Sequence, residues 1–223
     1  MMQRAVLWDM DGVLVEDGEW HYRAWYETLS AAGIPFDRRT FQQTFGMNNA
    51  GILEFLLGHR PPADFIQEIS ERKEARFRDL IRGQVRLASG AREWLERLAG
   101  EGFLQAVASS APQANLEALL AETQAAAFFA AVVSGAGMPG KPDPAVFLEA
   151  ARRLGVPPAC CVVVEDSVAG VVAARRAGMR CLALTTTNPR SALGEADIVV
   201  DSLTELCLND FLGHATPAGR KNA

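Results

Sequence analysis

A chain of 223 residues, 49% hydrophobic and 22% charged, has the composition of an ordinary soluble globular protein and can bury a sizeable core. The net charge of −5 and the pI near 5.3 imply no basic face, which argues against nucleic acid as the main partner. No signal peptide opens the chain and no apolar run reaches the ~20 residues of a membrane span, so we expect no membrane partner and a cytoplasmic location.

The first structural signal is a short apolar run that ends in two acids. Residues 5–8 read as a buried strand, Asp9 follows directly, and Asp11 precedes Gly12, which permits a sharp turn. The carboxyl ends of parallel strands converge on a crevice, where two carboxylates repel each other and favour a bound divalent cation. The alternative is that both acids only end a strand and begin a turn, as Asp often does.

The next part of the chain, from about residue 16 to residue 86, has helical periodicity throughout. Apolar positions recur at helical spacing over residues 18–29, 38–45, 50–57 and 63–81, and no strand-like stretch interrupts them. This pattern predicts an all-α cap over residues 16–86, inserted into a core formed by residues 1–15 and 87–223, with a return hinge at residues 87–90.

From residue 90 onward, helical and strand periods alternate. The predicted helices cover residues 91–99, 112–120, 144–154 and 168–177, and the predicted strands cover residues 104–109, 131–134, 161–165, 180–184 and 197–200. Strict alternation indicates a parallel, doubly wound sheet, so the predicted fold class is α/β. Only residues 216–223 read as a disordered tail.

The four cysteines carry no sign of a metal site. Cys160, Cys161, Cys181 and Cys207 lie in or beside apolar strands and a C-terminal helix, without C-x-x-C or Cys/His metal spacing. We therefore expect buried, reduced thiols.

Chemically useful side chains follow further strand ends. Ser109 ends the second strand, Lys141 lies in a G-K-P-D-P segment, and Glu165 and Asp166 end the fourth strand. Together with the two aspartates after the first strand, this order of acid, hydroxyl, amine and acid resembles the haloacid dehalogenase (HAD) superfamily of aspartyl-phosphate phosphotransferases. The similar branch holds β-phosphoglucomutase and small sugar-phosphate phosphatases, and the motifs span residues 5–182.

The resemblance implies roles for the acids. Asp9 would attack phosphorus to form an aspartyl-phosphate, and Asp11 would protonate the leaving oxygen and then activate water. Mg²⁺ needs hard oxygen ligands, which Asp9, the backbone carbonyl of Asp11 and Asp166 would provide, with Glu165 touching it directly or through water. The alternative for Glu165 and Asp166 is an N-cap on the following helix.

Two further segments would bind the phosphoryl group. Ser109 would donate a hydrogen bond to a phosphoryl oxygen, aided by backbone N–H groups of Ser110 and Ala111 at a helix N-terminus; its alternative is a plain helix cap. Lys141, between a glycine and a proline, would point inward at carboxylate and phosphate, although lysines are usually solvated.

The predicted cap would select the substrate. His21 lies in a run that resembles the first cap helix of the family, where this histidine bonds near the general acid; its alternative is a surface histidine. Gly46, Asn48 and Asn49 match the substrate-specificity loop in position, and Lys73 matches a cap lysine that meets substrate. For Lys73, which lies in a charge run, a solvated helix face is the alternative.

The departures from the mutase pattern favour hydrolysis. The mutase has a hydroxyl residue at the position of Asp17, a phosphate-gripping arginine at the position of Asn49 and a serine at the position of Ala111. We therefore expect a Mg²⁺-dependent phosphatase acting as a monomer on a small phosphorylated metabolite, with a sugar phosphate as the first candidate.

Three other functions stay open at this point. The first is a β-phosphoglucomutase-like phosphotransferase. The second is a non-catalytic HAD-fold protein that binds a phosphorylated ligand, although such a module needs no nucleophile and second acid together. The third, a metal-independent dehalogenase, is disfavoured by Asp11 and by the pair Glu165 and Asp166.

Overall fold

The computed structural model of the chain describes residues 3–44 and 47–212. Six parallel strands form one sheet: β1 (Ala5–Trp8), β2 (Leu104–Ser109), β3 (Ala131–Ser134), β4 (Cys161–Glu165), β5 (Arg180–Leu184) and β6 (Ile198–Val200). Their order across the sheet is β3-β2-β1-β4-β5-β6, so the direction of winding reverses between β1 and β4. The predicted doubly wound α/β fold is confirmed.

The described helices form two groups. Five follow the return to the sheet: α5 (Ala91–Gly100), α6 (Gln113–Thr123), α7 (Ala145–Leu154), α8 (Val168–Arg176) and α9 (Leu208–Leu212). Four lie between β1 and α5, and we call them the helical block: α1 (Gly18–Ala31), α2 (Arg38–Thr44), α3 (Asn49–Leu57) and α4 (Ala63–Ile81). The predicted helices of residues 16–86 are therefore present, while the boundaries of a cap domain stay a prediction.

Apolar burial on both faces of the sheet explains the continuous apolar strands. Alternate residues of β1 enter different cores, with Trp8 in one cluster and Leu7 in the other. The helical block has its own apolar cluster, which includes Trp25 and Leu53. The end of α4, with Phe77 and its neighbours, packs into the cluster that contains Trp8, so the block is fastened to the sheet at that end.

Some local expectations differ from the structure. Helices α6 and α7 begin one residue later than predicted, after Pro112 and Pro144. The prediction of a buried thiol is wrong for Cys207, which is exposed in the turn before α9 and whose N–H donates to the Asp210 carboxylate. Cys161 and Cys181 are buried, Cys160 is partly buried, and all four cysteines are free. Among residues 3–44 and 47–212, no helix is both long and apolar enough to cross a membrane.

Candidate active site

Three buried acids meet where the strand order reverses. Asp9 follows β1 and donates its N–H to the Val164 carbonyl of β4 at 3.0 Å. Glu165 is the last residue of β4 and Asp166 the next, and carboxylate oxygens of the three acids lie within 4.8 Å of one another. At most 8% of any of these residues is exposed. Such a set of hard oxygen atoms in one crevice could hold a divalent cation.

Lys141 neutralises part of this acidic group. Its Nζ donates to Asp9 Oδ1 at 2.9 Å and to Glu165 Oε1 at 2.5 Å. Burial opposes the charged form of the lysine, but Asp9 and Glu165 outweigh it and raise the pKa of Lys141. Burial also raises the pKa of Asp9 to about 7, against the lowering effect of Lys141. The lysine points inward, as the G-K-P-D-P segment predicts, and the solvated alternative is wrong.

The start of α8 holds Glu165 in place. Glu165 Oε2 accepts the backbone N–H groups of Asp166 and Ser167, both at 2.9 Å, and the Ser167 hydroxyl at 3.0 Å. Ser167 is the N-cap of α8, since its Oγ accepts the Gly170 N–H, so the alternative that Glu165 and Asp166 are the N-cap is wrong. A Cβ at Gly170 would lie 1.9 Å from the Glu165 carboxyl carbon, which explains the glycine.

The loop after β5 holds Asp166, a contact that the sequence analysis missed. Thr187 Oγ1 and Asn188 Nδ2 donate to the Asp166 carbonyl at 3.0 and 3.1 Å. Thr186 Oγ1 lies 2.6 Å from the Gly12 carbonyl and 3.1 Å from Asp166 Oδ2, so it bridges the ends of two strands. Burial raises the pKa of Asp166 to about 8. The three consecutive threonines directly after β5, residues 185–187, are the feature of the sequence that could have indicated this contact.

Gly12 lets the first loop approach Asp166. Its φ of +78° lies in the left-handed region that favours glycine. A Cβ at this position would lie 2.0 Å from Asp166 Oδ2. The turn that the D-x-D-G motif predicts therefore also makes room for the neighbouring acid.

Asp11 turns away from the three acids towards the helical block. Its carboxylate groups with Asp17 and His21, and His21 Nε2 lies 3.8 Å from Asp11 Oδ2 and 3.5 Å from Asp17 Oδ2. Asp17 is fully buried, and its carboxylate shares a hydrogen bond with the Asp11 carboxyl. Burial, followed by the Asp17 charge, raises the pKa of Asp11 to about 8. Burial raises the pKa of Asp17 to about 6, so of these two acids Asp11 keeps its proton to the higher pH.

His21 is a neutral donor in this arrangement. Its ring stacks on Phe77 with centroids 4.0 Å apart, and burial, followed by the Lys73 charge, lowers the pKa of His21 to about 4. Lys73 Nζ lies 2.9 Å from His21 Nδ1, and an ammonium can only donate, so the ring proton is on Nε2, facing the acids. Lys73 is 3% exposed. The alternatives of a surface histidine and a solvated lysine are both wrong.

The residues predicted to form the substrate-specificity loop are Gly46, Asn48 and Asn49. Asn49 Nδ2 donates to Glu74 Oε1 of α4 at 2.9 Å, which places Asn49 beside Lys73. Asn48 is exposed, and its side chain accepts the Gly51 N–H at 2.8 Å as the N-cap of α3. Gly46 lies outside the described residues. Of the two residues that the structure describes, Asn49 is the one joined to the group around His21 and Lys73.

Ser109 is buried at the end of β2, and its Oγ accepts the Ala111 N–H at 3.1 Å. The Ala111 N–H is therefore engaged inside the loop, which corrects the expectation that it points to a ligand. Ser110 is exposed, and α6 begins only at Gln113. The Ser109 hydroxyl keeps its hydrogen as a donor.

Comparison with known proteins decides the family. The family model described as haloacid dehalogenase-like hydrolase matches residues 3–178. The chain belongs to this family. It is 33% identical to hexitol phosphatase B of Escherichia coli K12, covering 94% of this chain and 96% of that protein. It is also 33% identical to β-phosphoglucomutase of Bacillus subtilis, covering 92% of each. A mutant of CbbY from Rhodobacter sphaeroides, solved with xylulose-(1,5)bisphosphate, matches with a TM-score of 0.85 and 30% identity over 94% of this chain and 99% of that one.

This HAD-like hydrolase thus brings its predicted residues into two adjoining groups. One contains the acids Asp9, Glu165 and Asp166 with Lys141, and could hold a divalent cation. The other surrounds Asp11 and contains Asp17, His21 and Lys73, which suits proton transfer. Asp9 and Asp11, two residues apart, thereby face different surroundings.

Proposed function

We propose that this HAD-like hydrolase is a Mg²⁺-dependent phosphatase that hydrolyses a small phosphorylated metabolite, with a sugar phosphate as the first candidate. One observation carries the proposal: Asp9 is a buried acid paired with Lys141, and Asp11, two residues on, is an acid whose pKa is raised to about 8. A nucleophile and a protonated acid in one crevice suit a two-step displacement. The names of the relatives, a hexitol phosphatase among them, support the substrate class.

Asp9 acts as the nucleophile. Lys141 binds Oδ1 and holds the carboxylate in one orientation, so the other oxygen attacks phosphorus as the bond to the leaving oxygen breaks. The product of this step is an aspartyl-phosphate. The Lys141 ammonium also offsets negative charge that gathers on the phosphoryl oxygens.

Asp11 moves the proton in both steps. It holds a proton near neutral pH, because burial and the Asp17 charge raise its pKa, and it gives that proton to the leaving oxygen. The resulting carboxylate then takes a proton from water, whose oxygen attacks phosphorus as the bond to the Asp9 oxygen breaks, which releases phosphate and restores the Asp9 carboxylate. The Nε2–H of His21, 3.8 Å away, faces the carboxylate that forms between the two steps.

Asp9 and Asp166, with Glu165 and the Asp11 carbonyl, are the residues that would hold Mg²⁺. These residues fit Mg²⁺ because it prefers hard oxygen ligands. The buried carboxylate oxygens of Asp9, Glu165 and Asp166 lie within 4.8 Å of one another. When bound, the cation supplies positive charge that polarises the phosphoryl group. Ser109 would donate its hydroxyl to a phosphoryl oxygen.

A phosphomutase is the second candidate, favoured by the likeness to the Bacillus subtilis β-phosphoglucomutase. Its reaction needs a firm grip on a second phosphate, which suits arginine. Here Asn49 offers a neutral amide that already donates to Glu74. This contact favours hydrolysis over transfer.

The test is phosphate release from a panel of phosphorylated metabolites, with Mg²⁺ or with EDTA. We expect release from at least one monophosphate with Mg²⁺ and none with EDTA, and no release by an Asp9→Asn variant. Efficient isomerisation of β-glucose 1-phosphate that outpaces all hydrolysis would favour the mutase. Release from no compound would favour a phospho-ligand-binding protein.

A further inference from the structure

Glu74 connects the helical block to a helix of the α/β part. Its Oε2 accepts the Asn115 side-chain amide of α6 at 2.6 Å. One turn further along α4, Arg78 Nη1 donates to the side-chain oxygen Oδ1 of Asn115 at 2.8 Å. Asn115 is 1% exposed, so both ends of a buried amide are satisfied by residues of the helical block. We call Glu74, Arg78 and Asn115 the clamp.

The other oxygen of Glu74 leads to the acids. Glu74 Oε1 accepts Lys73 Nζ at 3.0 Å and the Asn49 amide at 2.9 Å. Lys73 Nζ also donates to His21 Nδ1 at 2.9 Å, and His21 Nε2 lies 3.8 Å from Asp11. A continuous series of contacts therefore runs from α6 to the proposed proton donor.

Glu74 can hold both sides because it is ionised. Burial opposes its charge, but the Lys73 charge and the hydrogen bonds from Asn49 and Asn115 outweigh burial and hold the pKa of Glu74 below its usual range. An ionised carboxylate only accepts hydrogen bonds, which fixes the Asn115 and Asn49 amides with their NH₂ groups towards Glu74. If α4 moved away from α6, Asn115 would lose partners for both ends of its amide.

We propose that Glu74 and Asn115 are positioning residues for the reaction: the clamp seats α4 against α6 and so holds Lys73 and His21 in place beside Asp11. The proposal rests on the proposed function, because it gives the held group a task in proton transfer. The clamp joins α4 to the helix that follows Ser109, so it also keeps the helical block over the sheet edge where the acids lie.

A double-mutant cycle between Asn115 and His21 tests this. The variants are Asn115→Leu, His21→Ala and the double variant. Their kcat is measured with Mg²⁺ on the monophosphate that the unmodified protein hydrolyses fastest, chosen from a panel that includes p-nitrophenyl phosphate. We expect each single variant to lower kcat by about tenfold or more and the double variant to lose no more than the worse single one, because both remove the same arrangement. Losses that multiply would overturn the proposal, since Asn115 would then act independently of His21.

Gln113→Leu is the matched control. Gln113 lies on the same helix, is exposed and contacts Glu117 of that helix. We expect its kcat to equal that of the unmodified protein.

A reversed pair guards against simple loss of folding. Asn115→Asp should place two carboxylates together and lower kcat, while Glu74→Gln combined with Asn115→Asp restores an amide-to-carboxylate bond with the polarity exchanged. We expect the combined variant to recover kcat to within about threefold of the unmodified protein. Recovery of thermal stability without recovery of kcat would show that the pair only stabilises the fold.

An NMR measurement separates this proposal from the proposed function. We expect the His21 ring resonances, at fixed pH, to shift in Asn115→Leu and to stay in Gln113→Leu. If the unmodified protein hydrolysed no compound, the proposed function would be wrong. The chemical shifts of His21 would then still test whether the clamp holds His21 in place. Unchanged His21 resonances in Asn115→Leu would overturn the positioning role.

Discussion

Two aspartates that are two residues apart differ in what surrounds them. Asp9 donates its backbone N–H to β4 and pairs with Lys141, whereas the Asp11 carboxylate lies beside Asp17 and His21. The direct contact with Lys141 favours the charged form of Asp9 against burial and its neighbouring acids, whereas the Asp17 carboxylate favours the protonated form of Asp11. Asp9 is therefore suited to attack and Asp11 to proton donation, as in other sites where environment separates two acids.

Asp9→Asn is expected to lower kcat by at least about a thousandfold, because an amide is a poor nucleophile and lacks the charge that pairs with Lys141. The fold should stay intact, measured by circular dichroism and thermal unfolding. In the unmodified protein, a beryllium fluoride complex should show density on Asp9. Density on Ser109 instead would contradict the assignment of the nucleophile.

Asp17→Asn is expected to change the pH profile. In the unmodified protein, kcat/KM should fall as pH rises through about 8, because Asp11 must hold a proton to donate it. An amide at position 17 removes a negative charge and donates to the Asp11 carboxylate, so the pKa of Asp11 falls and the alkaline limb moves down by about one pH unit.

The exposed Asp64, changed to asparagine, is the control for this profile. Its alkaline limb should stay where it is in the unmodified protein. An unmoved limb in Asp17→Asn would mean that Asp17 does not set the proton affinity of Asp11.

At the scale of elements, strand ends supply the acids and the adjoining helix and loops hold them. The N-terminus of α8 binds Glu165 through two backbone N–H groups, and the loop after β5 binds Asp166. Backbone donors at a helix start stabilise a carboxylate without adding a mobile side chain. Glu165 can then hold Lys141 against Asp9.

Gly170→Ala tests this support. The new Cβ would lie 1.9 Å from the Glu165 carboxyl, so Glu165 must shift and its contact with Lys141 must weaken. We expect the free energy of unfolding to fall by about 1–3 kcal/mol, measured by urea denaturation, with a loss of kcat.

Gly100→Ala provides the matched comparison. Nothing lies within 4 Å of a Cβ at Gly100, at the end of α5, so the free energy of unfolding should stay unchanged or rise. Equal stability of the two glycine variants would contradict the close packing between α8 and Glu165.

At the scale of the whole molecule, the helical block brings residues distant in the chain over the sheet edge. Asn49 from α3 and Lys73 from α4 meet at Glu74, and the clamp ties this group to α6. Under the proposed function this group faces the substrate beyond its phosphate, and Asn49 contributes a neutral amide there. A neutral amide can bind hydroxyl groups but lacks the charge and the paired donors with which arginine holds a second phosphate.

We accordingly expect monophosphates to be hydrolysed faster than the corresponding bisphosphates. With β-glucose 1-phosphate and a trace of the bisphosphate, glucose 6-phosphate should form slowly or not at all. Asn49→Arg combined with Glu74→Gln should raise the ratio of transfer to hydrolysis, because the guanidinium is then free to bind a distal phosphate. The measurement is product quantification by NMR, and a bisphosphate preference in the unmodified protein would contradict it.

The periodicity of the sequence predicts which strand ends meet, and the sequence shows which residue types lie there. Alternating periods indicate a parallel sheet, and a parallel sheet brings its carboxyl ends to one edge, so Asp9, Glu165 and Asp166 could be grouped before any coordinates. The contacts between side chains of different elements could not be predicted in this way. The burial of Asp17, the bridge made by Thr186 and the clamp at Asn115 depend on how helices and loops pack. Periodicity reports which face of an element is buried but not which polar side chain of another element meets it.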